Sequence, residues 1–253
     1  MTNTIIINDK TWTLDRGAHV RSAGKVCLLE IASLKAGERL HDHPEAVSPV
    51  LAAFGRALWD TTPEDDLLAD LLPFADRLIG TADRPDLDQQ AGLMAADWSI
   101  RRFPVPWLQL AGLDAHADAL ESLPELTSWD LVEQARATII AAKDAAWGAR
   151  NSIAWNAAEV ASCAAARTAA QAASCAARMA TWRAGRNGAW AAVRAAGKDV
   201  AEAAAQAAAQ AAAEDAAWAS AWASGRAALA PASTKLRAEA INLFDRMIRL
   251  WEN

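Results

Sequence analysis

The chain opens on a strand pattern and then changes period. Thr4-Ile5-Ile6-Ile7-Asn8-Asp9-Lys10-Thr11-Trp12-Thr13-Leu14 places β-branched residues around Asn8-Asp9, a pair that tolerates left-handed backbone. This predicts a β-hairpin over residues 4–14. Beyond it the apolar period is helical. Residues 25–36 read as a short apolar helix stopped by Gly37, and Ser48-Pro49 as a capped helix start running through Trp59. Thr62-Pro63 repeats that grammar, with Glu64, Asp65 and Asp66 at the positive end of the helix dipole. Leu67, Leu68, Leu71, Leu72 and Phe74 follow, with a kink expected at Pro73. Helices over 86–103, 104–111 and 115–123 complete a compact, mostly helical unit.

The second half has a different texture. About half of the residues between Ala135 and Ala230 are Ala, the best helix former. Larger residues recur every fourth position, as in Lys143, Trp147, Asn151, Trp155, Glu159, Cys163, Arg167, Gln171, Cys175, Met179 and Arg183. A four-residue step advances about 40° per repeat, so these side chains spiral around a helix. Trp147, Trp182 and Trp218 are spaced 35 and 36 residues apart, each with a second Trp downstream, a weak repeat typical of stacked helices. Pro231, with Ser233 and Thr234 as caps, is expected to start the last helix. Leu236, Ala240, Leu243, Phe244, Met247, Ile248 and Trp251 make its apolar stripe. The expected fold is mainly α: a small N-terminal hairpin and compact helical unit over 1–128, then an Ala-rich helical bundle or hairpin over 129–253.

Composition sharpens this division. The 253 residues suffice for a core without disulfide or metal staples. Up to Gln134 there are 22 acidic and 11 basic residues; from Ala135 there are 9 and 14. A net charge of −6 thus hides an acidic front and a basic rear. Twelve Trp stand against no Tyr, a bias with no physical account. Cys27, Cys163 and Cys175 are sparse and odd in number, as in a reducing compartment, and Cys163 and Cys175 read as buried thiols. The start lacks a basic region followed by an apolar run, and no stretch approaches the ~20 apolar residues of a membrane span. A cytoplasmic protein is expected.

Several segments carry a family resemblance: Cys27-Leu28-Leu29-Glu30, His43-Pro44, Val47 to Arg56, Arg77 to Ala82, Pro106 to Leu113 and Leu243 to Ile248. Together they resemble uncharacterised proteins of actinobacteria and their phages that end in an Ala-rich tail. The resemblance runs from about residue 4 to 250. It implies a source and a cytoplasmic location and brings no activity with it.

Candidate chemistry is sparse. His41-Asp42-His43-Pro44-Glu45 is the one cluster with metal-ligand character, with Glu45 or His19 as a third ligand. Without a second cluster it reads instead as a polar loop with Pro44 starting a helix, and no metal or cofactor is expected. Cys27 on an apolar run reads as a core thiol, and Glu64-Asp65-Asp66 as helix capping. No phosphate loop, dinucleotide fingerprint or nucleophile elbow is present, so an enzyme is not expected.

The remaining constellation is basic and aromatic: Arg136, Lys143, Arg150, Trp155, Arg167, Arg178, Trp182, Arg183, Arg186, Trp190 and Arg194. Arg grips phosphate in a planar fork and Trp stacks on bases. Arg136, Lys143 and Arg150 are seven apart and share a helix face. A sequence pI of 5.3 sits far below the ~9 usual for nucleic-acid domains. The expectation is therefore a non-enzymatic helical interaction or scaffold protein, acting on a protein partner or on itself. The alternative is a groove of Arg and Trp that binds nucleic acid or a small phosphorylated ligand, including sequestration in counter-defence.

Overall fold

The computed structural model describes residues 3–17, 19, 23–62, 66–152 and 223–253. Strands β1 (Thr4–Ile7) and β2 (Lys10–Leu14) pair antiparallel, with Ile5 opposite Trp12 and Ile7 opposite Lys10. Asn8 and Asp9 form the turn at φ 51° and 60°, the left-handed pair that matches the twist of a two-residue hairpin. A third strand, β3 (Lys25–Val26), runs parallel to β2. This corrects the helix expected over 25–36. The Thr13 amide bonds the Gly24 carbonyl at 2.9 Å and the Asp15 amide bonds the Val26 carbonyl at 3.0 Å, drawing Lys25 and Val26 into the sheet. Only then does α1 (Leu28–Lys35) begin, and Gly37 at φ 81° follows its end.

Helix α2 (Pro49–Thr61) starts as expected, with Ser48 Oγ accepting from the Leu51 amide at 3.3 Å. Pro44 belongs to a turn, closed by the Val47 amide on its carbonyl, and starts no helix. Residues 63–65 of the Thr62-Pro63 cap lie outside the described residues. At Pro73 the expected kink is a full break between a π-helical turn, Leu67–Leu71, and α3 (Phe74–Leu78). Next come α4 (Pro85–Arg101), α5 (Val105–Leu110), α6 (Asp114–Glu121), α7 (Trp129–Gln134) and α8 (Arg136–Ser152). The last helix, α9 (Ala223–Glu252), contains Pro231 in its interior, so Pro231 does not start it. The Ala-rich flank has enough helix propensity to carry the helix through a residue that lacks its N–H.

The described chain is mainly helical around a small three-stranded N-terminal sheet. One hydrophobic core gathers Trp12 and Leu14 from β2, most of α1 and α2, Ile139, Ala142 and Ala146 from α8, and the α9 stripe from Leu236 to Ile248. Composition changes near Ala135, and packing continues across that point: α8 lies on α6 and α7, and α9 on α2, α3 and α4. Phe244 is the hinge of an aromatic chain. Its ring lies 5.1 Å from Phe74 and 5.7 Å from Phe54, which in turn meets Trp98 at 6.4 Å. Gly55 makes this approach possible, because a Cβ there would sit 2.7 Å from Phe244 Cζ.

Polar ties complete the closure. Buried Ser48 donates to Asp88 Oδ1 on α4 at 2.5 Å, while its amide bonds Thr81 Oγ1 at 2.9 Å. Arg77 reaches Asp245 and Glu252 on α9, each at 2.6 Å, and Arg237 on α9 reaches Asp66 at 2.8 Å. The basic rear thus meets the acidic front in the Arg237–Asp66 pair. Arg77 runs the pairing in reverse, front base to rear acids.

Candidate functional site

Arg136 opens α8, and Lys143 and Arg150 follow at seven-residue steps on the same helix. The shared face is therefore in place as backbone geometry. Arg136 Nη1 pairs with Glu133 Oε1 at 3.2 Å, and Lys143 Nζ with Asp144 Oδ1 at 3.2 Å. Both are local pairs at half-exposed positions, each worth about 0–1 kcal/mol. Among the described residues, neither side chain pairs with an acid on a distant element of the front half. Trp155, Arg167, Arg178, Trp182, Arg183, Arg186, Trp190 and Arg194 lie outside the described residues, as do Cys163 and Cys175.

The His41–Glu45 segment is spent on turns. Glu38 accepts from the Glu45 amide at 3.1 Å and the Ala46 amide at 2.9 Å, and pairs with His41 Nε2 at 3.1 Å. His43 Nδ1 turns to Asp42 at 2.7 Å, and Arg56 donates to the Asp42 carbonyl. Among the described residues, no group of three or more His, Cys, Asp or Glu side chains is placed to hold a metal ion.

A different cluster forms where β2, β3 and α1 meet. Glu30, whose side chain is 1% exposed, accepts from the His19 amide at 2.7 Å and the Cys27 amide at 2.8 Å, and lies 2.8 Å from His19 Nδ1. The other side of the imidazole faces Asp15, with Nε2 3.6 Å from Oδ2, and Lys25 Nζ holds that same Oδ2 at 2.6 Å. Trp59 Nε1 donates to the Asp15 carbonyl at 2.7 Å, and the Gly17 amide to Asp60 Oδ1 at 2.8 Å. The Lys25 ammonium draws the Asp15 carboxyl below its ordinary range. Burial pushes Asp60 up, against the Gly17 amide that favours its charge.

Cys27 sits at the N-cap of α1, fully buried, as expected of a core thiol. Burial first, and then the charge of Glu30, push its pKa far up, so it stays a thiol and is no nucleophile at neutral pH. A His–carboxylate pair beside a thiol has the parts list of nucleophilic catalysis. Here the carboxylate is used to hold two backbone N–H groups and to seat the imidazole, and the thiol is kept protonated. Sequence reasoning named Cys27 and His19 separately and missed Glu30. The signal was available in part: Glu three residues after an N-cap is capping-box spacing. Nothing in the sequence brings His19 to it.

No helix among the described residues is long and apolar enough to cross a membrane. Compared with protein-family models, curated proteins and solved structures, the chain matches none.

Proposed function

We propose that this chain is a non-enzymatic helical interaction protein of the cytoplasm, acting by protein–protein contact or self-association through its Ala-rich stretch. One observation carries the reading: α8 and α9, the helices that border residues 153–222, are both fastened to the same core. A packed unit therefore holds both ends of a stretch that contains 34 Ala, five Trp, six basic and five acidic residues. The polar clusters of the described region support it from the other side. Ser48–Asp88 and Glu30–His19 each tie separate segments of the chain together, and Glu38–His41 holds the connection between α1 and α2. The resemblance to proteins of actinobacteria and their phages makes lysates of such hosts the place to look for a partner.

Light scattering on the full chain, and pull-down from an actinobacterial lysate, test the proposal. The paired variant replaces 153–222 with a Gly/Ser linker of about 20 residues, which spans roughly 25 Å as a flexible coil. Self-association or a captured protein that disappears in the linker variant supports the reading. A monomer without a partner overturns it. Binding of single-stranded nucleic acid that weakens steeply between two salt concentrations would favour the Arg/Trp face instead.

A further inference from the structure

We propose that His19 is a proton-operated fastener, which in its charged form ties the end of β2 to the N-terminus of α1. The geometry of the two ring nitrogens carries this. Nδ1 lies 2.8 Å from a Glu30 oxygen, and Nε2 lies 3.6 Å from an Asp15 oxygen. A neutral imidazole has one N–H and one lone pair. With the proton on Nδ1, the Nε2 lone pair faces the Asp15 carboxylate. With the proton on Nε2, the Nδ1 lone pair faces Glu30 at hydrogen-bond distance. Only the imidazolium presents a donor to both carboxylates.

The two sides are not equal. Glu30 is buried and also fixed by the His19 and Cys27 amides, so its bond to Nδ1 persists in either state. Asp15 is partly exposed and shared with Lys25, so its arm is the one that opens when Nε2 loses its proton to solvent. The other charged groups facing this cluster are Arg16, on the same connection, and Asp60 and Arg56 on α2. Asp60 holds the Gly17 amide. The Cys27 thiol of α1 stays neutral beside Glu30. The fastening is complete while His19 is charged and loses one arm when the imidazole is neutral.

Imidazole nitrogen NMR on the full chain from about pH 5 to 8.5 tests this, with the H19Q spectrum assigning His19 among the four histidines. The expected neutral form carries its proton on Nδ1. Amide-exchange protection at Gly17 and His19, corrected for intrinsic exchange, should fall about two- to fivefold as His19 deprotonates, the span of one partly exposed ion pair. D15N should abolish that fall while leaving the Nδ1 proton on Glu30, and serves if H19Q does not fold. A neutral form protonated on Nε2, protection that is flat across the titration, or a fall that persists in D15N each overturns the proposal.

Discussion

The two helices that flank the Ala-rich stretch reach the same core by opposite means. Helix α9 inserts large side chains: Leu243, Phe244, Met247 and Ile248 are all 1% exposed or less. Helix α8 buries only Ile139, Ala142 and Ala146 on its described inner face, so its backbone lies close to its neighbours. The first is an anchor by volume, the second by proximity. A volume anchor fails when atoms are removed; a proximity anchor fails when atoms are added.

The substitution with the largest expected effect breaks the volume anchor. Phe244→Ala removes a ring packed against both Phe54 and Phe74 and should cost about 3–5 kcal/mol in denaturant unfolding. On α8 the opposite change is the damaging one, and Ala142→Leu should cost about 1–3 kcal/mol through overpacking. Gly55→Ala tests whether α9 also depends on proximity at one point. Its new Cβ meets Phe244 Cζ at 2.7 Å, so a loss of about 1–3 kcal/mol is expected where an ordinary helical Gly would gain from Ala. Ser48→Ala removes the α2 cap and the buried donor to Asp88, at about 1–2 kcal/mol. A neutral result there would mean that the α2–α4 tie is dispensable.

The smallest effect is electrostatic. Lys25 holds Asp15 below its ordinary range, so the pair adds stability above the unfolded-state value of about 3.9, and this is lost as pH falls through the lower folded value. Lys25→Met should cost less than about 1 kcal/mol at neutral pH, and the difference should vanish in acid. Thermal unfolding of both proteins at pH 7 and below pH 3 reads it directly.

The legible parts of this fold were those whose cause is local. Asn8-Asp9 specifies its own turn, Ser48-Pro49 its own cap, and the α9 stripe from Leu236 to Ile248 its buried face. The illegible parts depend on partners distant in sequence. Lys25 and Val26 look helical next to Cys27-Leu28-Leu29 and become a strand only because β2 offers hydrogen-bonding groups to pair with. Pro231 looks like a helix start and is overridden by the Ala-rich sequence before it. Of the candidate constellation, the periodicity of Arg136, Lys143 and Arg150 was readable because it is a property of one helix. The Glu30–His19 pair was not, because it joins a loop to a helix cap.

The bond between Arg77 and Glu252 joins residues 175 positions apart, and Phe244 fills the core beside it. This sets a schedule for the nascent protein. While it is being made, α2, α3 and α4 emerge with the seat of Phe244 uncovered, and the whole Ala-rich stretch must be translated before the ring that fills it exists. At ordinary translation speeds the exposed interval is on the order of ten to thirty seconds. The hairpin and α1 can settle early, but the core closes only with the final helix. Ribosomal arrest before residue 236 should therefore leave a protease-sensitive front half, and release of the finished chain should make it resistant.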